Sequence, residues 1–365
     1  MSLHPVEPCQ LTTSWLAYWA AATLLAVMLG GLWQISATLL QSETLDFPRS
    51  WHDFKDGRMT NTLEKQLNQK LPARTDLIAV ANSVRFLLLR AGGDQVCVGR
   101  DGWLFLTEEL QYDPQANASL SSRLTLVRNV SITLQNKGIK LLVVVVPDKA
   151  RIHAPYLPSS KYPDYNANRY QSALSGLTMQ GVEVLDLLTP LLAAAQTRAV
   201  YYKTDTHWNQ TGAQVAARAL ADRIKQLSIP MEQTLFTLSE DKLPSERTGD
   251  LIRLMGLEKV PNGLRPAPDE EAVQRIEAVS NQSEAGGLLG DSAVSVVLVG
   301  TSYSLRGNFH GHLQQALSTK VLNAAKDGAG FWQAMGAYLK DEAFTSEPPK
   351  VSVWEVPERL LTLPL

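Results

Sequence analysis

The hydrophobic pattern of the chain falls into three regimes. No charged side chain lies between Pro8 and Gln41, and the run from Trp15 to Leu40 is apolar almost throughout. As a helix that run would be about 39 Å long at roughly 1.5 Å per residue, more than a hydrocarbon core of about 30 Å requires. Trp15, Tyr18 and Trp19 near one end and Trp33 near the other are placed as interfacial aromatics. A cleaved signal peptide is the competing reading, with Ser36-Ala37 as its cleavage region. Its n-region would lack any Lys or Arg and its apolar stretch would be too long. The pattern therefore predicts a short tail (1–13), an uncleaved transmembrane signal-anchor helix (14–41) and a polar linker (42–60), followed by a folded domain (61–365). The tail carries Glu7 and no basic cluster, so orientation is weakly encoded; a tail kept inside leaves the domain outside the cytoplasm.

Beyond the linker, apolar positions alternate between helical and strand spacing. Leu77, Val80, Ala81, Val84 and Leu88 predict a helix over 75–90, ending at Gly92-Gly93. A turn at Arg100-Asp101-Gly102 precedes the strand-like Trp103-Leu104-Phe105-Leu106. Leu120, Leu124, Val127 and Leu134 predict a second helix, stopped at Gly138. Residues 139–146 are apolar apart from Lys140, the signature of a strand buried on both faces. A strand over 181–187 and a helix over 211–227 follow. From 228 to 291 the rhythm dissolves into Pro-, Gly- and charge-rich sequence, predicting an insertion of long loops and short helices, a lid or a substrate-contacting surface. Strands over 293–299, 320–324 and 351–356, with helices over 305–317 and 331–339, complete the pattern. Strands and helices in alternation imply an α/β fold, a parallel sheet sandwiched by helices.

Composition narrows the function classes. The 365 residues hold 34 Lys+Arg against 36 Asp+Glu, a formal charge of −2, so there is no basic field of the kind nucleic acids require. Ordinary Gly and Pro content and 45% hydrophobic residues exclude collagen-like and disordered classes. The two cysteines, Cys9 and Cys97, flank the apolar run, so a spanning helix would keep them from pairing.

The joint Val299-Gly300-Thr301-Ser302-Tyr303-Ser304 ends an apolar strand and opens a helix. A parallel sheet would place Ser302 at its carboxyl edge, beside free backbone N–H groups that can hold an oxyanion. Ser302 is the candidate nucleophile, against the plainer role of a helix cap. G-x-S-x-G of the α/β-hydrolases is absent, since residue 304 is Ser. Of the six His, His4 precedes the anchor and His52 lies in the linker, His153 and the His310/His312 pair have no carboxylate at close sequence range, and His207 has one, in Lys203-Thr204-Asp205-Thr206-His207-Trp208. At i and i+2 of an extended segment Asp205 and His207 share a side, so the carboxylate can hold Nδ1 and leave Nε2 for a serine.

These stretches resemble the SGNH-type acyltransferases of the alginate O-acetylation family (AlgJ/AlgX-like), including relatives from acetylated-cellulose operons. The resemblance rests on VGRDGWLFL (98–106), VVPDKARIHAPYLP (145–158), YYKTDTHWNQTGA (201–213), LVGTSYS (298–304), NAAKDGAG (323–330) and WEVPER (354–359). It implies catalytic roles for Asp205, His207 and Ser302 and an SGNH-hydrolase-like fold. The order of parts is permuted, because the Asp-His segment precedes the Ser strand. The turn after the 320–324 strand then supplies the oxyanion glycine, Gly328 or Gly330, beside the Ser302 N–H. The strand ending in WEVPER lacks the Asn of the ordinary pattern, D-x-H replaces D-x-x-H, and Thr301 stands where many relatives have Asp.

Lys149, Arg306 and Asn308 are candidate substrate contacts, each with a plainer reading as a local turn, cap or ion pair. Trp208 offers a face to a sugar, against the plainer role of packing behind His207. His310-x-His312 has no acidic or Cys partners nearby, so no metal is expected. The resemblance implies a bacterial inner-membrane protein with a periplasmic catalytic domain. It would move acetyl groups to hydroxyls of an exopolysaccharide of alginate or cellulose type through an acetyl-serine. Neither a metal nor a cofactor is needed for that chemistry. Acetyl groups would come from a multi-span membrane acyltransferase, among other polysaccharide synthesis and export proteins. The near-neutral domain suits a neutral glucan at least as well as a polyuronate. The rivals are an acetylesterase with the same triad and a non-enzymatic polysaccharide-binding assembly protein.

Overall fold

The computed structural model describes residues 51–58, 74–279 and 294–363, with isolated positions between 18 and 33 and at 61 and 64. The tail and most of the expected anchor lie outside the described residues; among those described, no helix is long and apolar enough to cross a membrane. The expected linker carries a short helix, Trp51–Lys55. The chain divides into two compact units, Met1–Val80 and Ala81–Leu365.

The predicted helix over 75–90 forms as Arg74–Leu89, but its apolar stripe is not its packing face. Leu77, Val80, Val84 and Leu88 are between 49% and 76% exposed. Phe86 and Ser83 are the buried positions, and Asn82 donates to the Met255 carbonyl at 2.8 Å. Periodicity located the helix; it did not tell which stripe faces the protein.

A hairpin follows, β1 (Val96–Val98) antiparallel to β2 (Leu104–Leu106). Its turn places Asp101 and Gly102 at φ of 53° and 81°, a conformation that glycine adopts without steric cost. Cys97, on β1, is a free thiol and half-buried. Next come β3 (Lys140–Val146) and β4 (Glu183–Asp186), then the insertion strands β5 (Phe236–Glu240), β6 (Ser245–Arg247), β7 (Asp269–Glu271) and β8 (Gln274–Ala278). The chain closes with β9 (Val296–Val299), β10 (Val321–Asn323) and β11 (Val351–Pro357).

The central sheet has five strands in the order β10-β9-β11-β3-β4, all parallel. Side chains of β3 alternate between two cores, which is why its sequence is apolar from Leu141 to Val146. Leu142, Val144 and Val146 pack with Ala213, Ala216, Leu220 and Ile224 of the Gln210–Gln226 helix and with Leu313 and Leu317 of the Phe309–Leu317 helix. Leu141, Val143 and Val145 pack on the other face with Leu124, Val127 and Leu134 of the Ala116–Gln135 helix, Leu177 of the Arg169–Met179 helix and Met335. Counted from β9, the order reads 2-1-3-4-5, the flavodoxin-type winding, with its last two strands moved to the front of the chain. In such a sheet ligands bind at the carboxyl ends of strands 1 and 3, here β9 and β11.

Two expected elements differ. The helix expected over 305–317 is a 3-10 turn at Ser302–Leu305 and a separate helix from Phe309, because Gly307 and Asn308 take φ of 61° and 54° between them. The insertion holds two antiparallel ribbons, β5 with β8 and β6 with β7, besides the short helix Asp250–Leu254. Strands of three to five residues with exposed faces leave little apolar alternation to read.

Under the carboxyl edge lies a buried network of charges. Asp148, after β3, pairs with Arg169 and accepts from the Tyr162 hydroxyl at 3.1 Å. Glu358, after β11, binds Arg151 at 2.9 Å and 3.2 Å through Nε and Arg169 at 3.2 Å. Glu109 is fully buried and accepts from the Ala150 N–H at 2.9 Å. Burial, with Asp148 close by, pushes the Glu109 carboxyl up to about 8. The folded protein therefore holds a proton that the unfolded chain releases above pH 4.5, and Glu109 makes stability fall as pH rises from 4.5 to about 8. Its limiting contribution is about 1.4 kcal/mol per pH unit. Glu109→Gln, which keeps the acceptor for Ala150, should flatten that part of the decline. Urea unfolding at pH 5 and pH 8 checks it; an unchanged slope would mean that Glu109 is ionised in the fold.

Candidate active site

Residues 201–209 form a tight excursion closed by a bridge between Tyr201 and Trp208. The Tyr202 N–H donates to the His207 carbonyl at 3.2 Å, and the Asn209 side chain caps the next helix by accepting from the Gly212 N–H at 3.0 Å. Within the excursion Asp205 Oδ1 accepts both the His207 backbone N–H, at 3.0 Å, and His207 Nδ1, at 2.6 Å. One carboxylate oxygen thus fixes the backbone and the ring of the same histidine. A carboxylate on Nδ1 sets the tautomer, leaving the Nε2 lone pair outward. Ser302 Oγ donates to Nε2 at 2.7 Å. The structure therefore brings the sequence-predicted Asp205, His207 and Ser302 into one hydrogen-bonded line.

The other Asp205 oxygen accepts from Arg247 Nη2, at 3.0 Å, and from the Asp250 N–H, at 3.3 Å. Burial disfavours an ionised Asp205, but the His207 hydrogen bond and charge and the Arg247 guanidinium outweigh it and hold the carboxyl well below the usual range. Asp250 accepts from the Thr206 N–H at 2.7 Å and hydroxyl at 2.5 Å. Asp269 accepts from the N–H groups of Lys203 and Thr204 at 2.7 and 2.9 Å. Arg247, Asp250 and Asp269 all belong to the insertion, whose role beside the histidine no motif announced. Gly249 packs so closely that a Cβ there would lie 2.1 Å from the Thr204 carbonyl oxygen.

On the serine side, Glu355 of β11 is fully buried and its carboxylate accepts from the Thr301 N–H at 2.7 Å, the Thr301 hydroxyl at 3.0 Å and the Ser304 hydroxyl at 3.0 Å. Burial raises its pKa, opposed by these hydrogen bonds. Gly300 is required there, since a Cβ would meet Glu355 Oε2 at 2.4 Å. Thr301 thus has a partner in Glu355, within the WEVPER segment that sequence alone left unassigned.

The line opens into a cavity of about 500 Å³ whose walls include Ser302, His207, Arg247, Arg306, Gly328 and Arg359. Arg306 is paired with Asp327 at 2.9 Å. Of the two expected oxyanion glycines, Gly328, at φ 66°, lines this cavity, whereas the Gly330 N–H donates to Gln333 Oε1 at 3.1 Å. Two other expected substrate contacts are corrected. Lys149 is completely buried and donates to the carbonyls of Lys203 and Asp205, both at 2.9 Å, so it fastens the Asp-His excursion from below. Trp208 is also completely buried and donates to the Tyr303 carbonyl at 3.1 Å, latching the excursion to the serine turn. Asn308 donates to the Gln274 carbonyl at 3.1 Å and lines a separate cavity of about 330 Å³, which shares Arg247 with the first.

Asp205, His207 and Asp250 also place three potential metal-ligand atoms within 4.8 Å of one another. Their donor set fits hydrogen bonding better than a cation, because Nδ1 is engaged by Asp205 and Arg247 already neutralises that carboxylate. His310 Nε2 is hydrogen-bonded to the Val321 carbonyl at 2.7 Å and His312 is buried.

The model of the SGNH hydrolase-like domain of the acetyltransferase AlgX matches residues 96–358. The chain belongs to this family. It is 34% identical over 311 residues to the probable alginate O-acetylase AlgJ of Pseudomonas putida, covering 84% of this chain and 81% of that protein. Identity to the Pseudomonas aeruginosa AlgJ is 32% over 359 residues, covering 95% and 89%. Among solved structures, the O-acetyltransferase domain of Pseudomonas putida AlgJ superposes with a TM-score of 0.65 at 34% identity, covering 74% of this chain and 92% of that one. Pseudomonas aeruginosa AlgX superposes with a TM-score of 0.56 at 26% identity, over 72% and 62%. The SGNH-like α/β fold expected from the motifs is therefore the family's own.

Gly249 tests how tightly this AlgX-type domain needs its insertion. Its φ of −72° suits alanine, so Gly249→Ala acts only through the contact with Thr204 and Asp205. Overpacking of this kind costs about 1–3 kcal/mol. Thermal unfolding should show that loss, and a crystal structure of the variant should show the Asp205 carboxylate displaced from His207. A variant as stable as its parent would contradict the close packing.

Proposed function

We propose that the protein is an O-acetyltransferase that carries an acetyl group on Ser302 and passes it to a hydroxyl of an exopolysaccharide of alginate or cellulose type. The observation that carries this reading is the line of 2.6 Å and 2.7 Å hydrogen bonds from Asp205 through His207 to Ser302, opening into a cavity. A serine hydroxyl is a weak nucleophile unless a base takes its proton as it attacks. His207 Nε2 is positioned to do so, and Asp205, kept ionised, would stabilise the imidazolium.

In the first half-reaction Ser302 Oγ adds to the acetyl carbonyl carbon, its proton passes to His207, and the carbonyl π pair becomes an oxyanion. The backbone N–H groups of Ser302 and Gly328 are the proposed donors to it. Collapse expels the donor's leaving group, which takes the proton from His207. In the second half a sugar hydroxyl gives its proton to His207 and attacks the acetyl-serine carbonyl, and Ser302 leaves with that proton. The chemistry closes without a metal or redox cofactor. The fold and the relatives, named as alginate O-acetylases, support this reading over a purely structural role.

The uncharged apolar run at 14–41 supports an anchored protein, and we assign the domain to the periplasmic side of a bacterial inner membrane. Acetyl donors are cytoplasmic, so a multi-span membrane acyltransferase is the proposed supplier.

Two outcomes are expected of Ser302→Ala. In polymer-producing cells it should abolish acetylation of the exopolysaccharide while the protein's level and its association with partners persist. Retained acetylation would overturn the catalytic assignment and favour an assembly role. Full-length protein in detergent, given an activated acetyl ester and glycan oligomers, should yield acetylated oligomer by mass spectrometry; release of acetate alone would identify an esterase.

A further inference from the structure

The ordinary SGNH pattern uses a side-chain amide after the third strand as an oxyanion donor, and here WEVPER offers none. In its place the turn Glu358–Leu361, directly after β11, brings Arg359 to the wall of the cavity that holds Ser302 and Gly328. This is the strand pair, β9 and β11, whose carboxyl ends form the crevice of the winding.

The surroundings of Arg359 leave it with unused hydrogen-bonding capacity. Its Nε is 3.3 Å from Glu108 Oε2, an ion-pair distance, and its Nη1 is 3.9 Å from Oε1 of Glu109, the carboxyl that burial keeps protonated. Both nitrogens are buried and neither makes a hydrogen bond. The guanidinium lies 5.8 Å from the centre of the Tyr303 ring, and Tyr303 is the residue after the nucleophile. Buried donors without partners are costly, about 1–3 kcal/mol each, more when charged, and a catalytic role is one of the explanations they call for. The other cavity arginines are differently engaged: Arg247 is bound to Asp205, Arg306 to Asp327 and Arg253 to Glu258.

We propose that Arg359 is a catalytic residue, the side-chain donor to the oxyanion, replacing the absent amide. This extends the acetyl-serine reading and rests on it. As Ser302 Oγ bonds to the acetyl carbon and its proton moves to His207, the carbonyl electron pair shifts to oxygen, and the negative charge formed there is met by the guanidinium. When the tetrahedral species collapses the pair returns to the carbonyl and the C–O bond to the leaving group breaks. Arg359 loses no proton at any step. A permanent cation stabilises the charged transition state more than the neutral ester, so its effect should fall on the rate of acylation and not on substrate binding.

The test uses full-length protein in detergent with p-nitrophenyl acetate, following the first burst of nitrophenolate, and phenylboronic acid, whose serine adduct is tetrahedral and negatively charged. Arg359→Gln should lower the acylation rate by about 10²–10³-fold, the range for loss of one oxyanion donor, with the ester concentration that half-saturates the burst rate within about threefold of the parent. Affinity for the boronate should fall at least tenfold (~10-fold). Arg359→Lys, which keeps the charge but not the planar fork, should lose less on both measures. Acylation within about threefold of the parent in either folded variant would overturn the proposal, as would a slower rate with unchanged boronate affinity, which is what a merely structural role predicts. If circular dichroism shows the Gln variant unfolded, the Lys variant decides on the same criteria. A parent that gives no burst, matching Ser302→Ala, would instead refute the acetyl-serine reading and this extension with it.

Discussion

The geometry of this protein depends on one shared carboxylate oxygen. Asp205 Oδ1 binds the backbone N–H and the ring Nδ1 of the same histidine, so the excursion that carries His207 and the orientation of its imidazole are one structural fact. Neither bond would point the ring at Ser302 without the sheet. The parallel order brings the carboxyl ends of β9, β11 and β3 to one edge, and the excursion is tied to that edge from both sides. Trp208 holds the serine turn, and Lys149, buried after β3, holds the carbonyl of Asp205 itself.

This explains why so many charges are buried near the edge. Isolated buried charges are costly, and removing one partner leaves the other exposed to that cost. Asp148, Glu358, Arg151 and Arg169 tie the ends of β3 and β11 together, while Glu355 holds the Thr301 backbone beneath the nucleophile. Such networks are weak evidence for stability, but they fix relative position, and a reacting group placed wrongly by about 1 Å can lose about 10²-fold in rate. The insertion extends the same arrangement outward, since Arg247 and Asp250 come from it and both touch the Asp205–His207 pair.

The sheet strands were legible in the sequence because a strand buried on both faces must be apolar throughout, and 141–146 and 296–299 are. The Ser302 joint and the D-x-H segment were legible because their chemistry imposes close spacing on few residues. Glu355, Arg247 and Arg359 were not. Arg247 reaches the site through tertiary packing from a polar stretch with no local pattern, and Glu355 and Arg359 lie in the WEVPER segment, whose local sequence assigns neither of them a partner. Lys149 and Trp208 show the opposite error. Both belong to motifs at the right edge of the sheet, yet they are turned inward, and only burial separates a residue that touches substrate from one that supports its neighbours. The exposed stripe of the Arg74–Leu89 helix makes the same point, because helical spacing specifies a face but not what covers it.

The central claim is that Asp205 and His207 make the hydroxyl of Ser302 an acyl carrier. Rapid quenching of the protein after exposure to an activated acetyl ester, followed by peptide mass spectrometry, observes that carrier directly. A single acetyl group on the peptide containing Ser302, localised to that residue and absent when His207 is replaced by alanine, is the predicted result. Acetylation spread over surface lysines with none at Ser302, or label at Ser302 undiminished without the histidine, would contradict it.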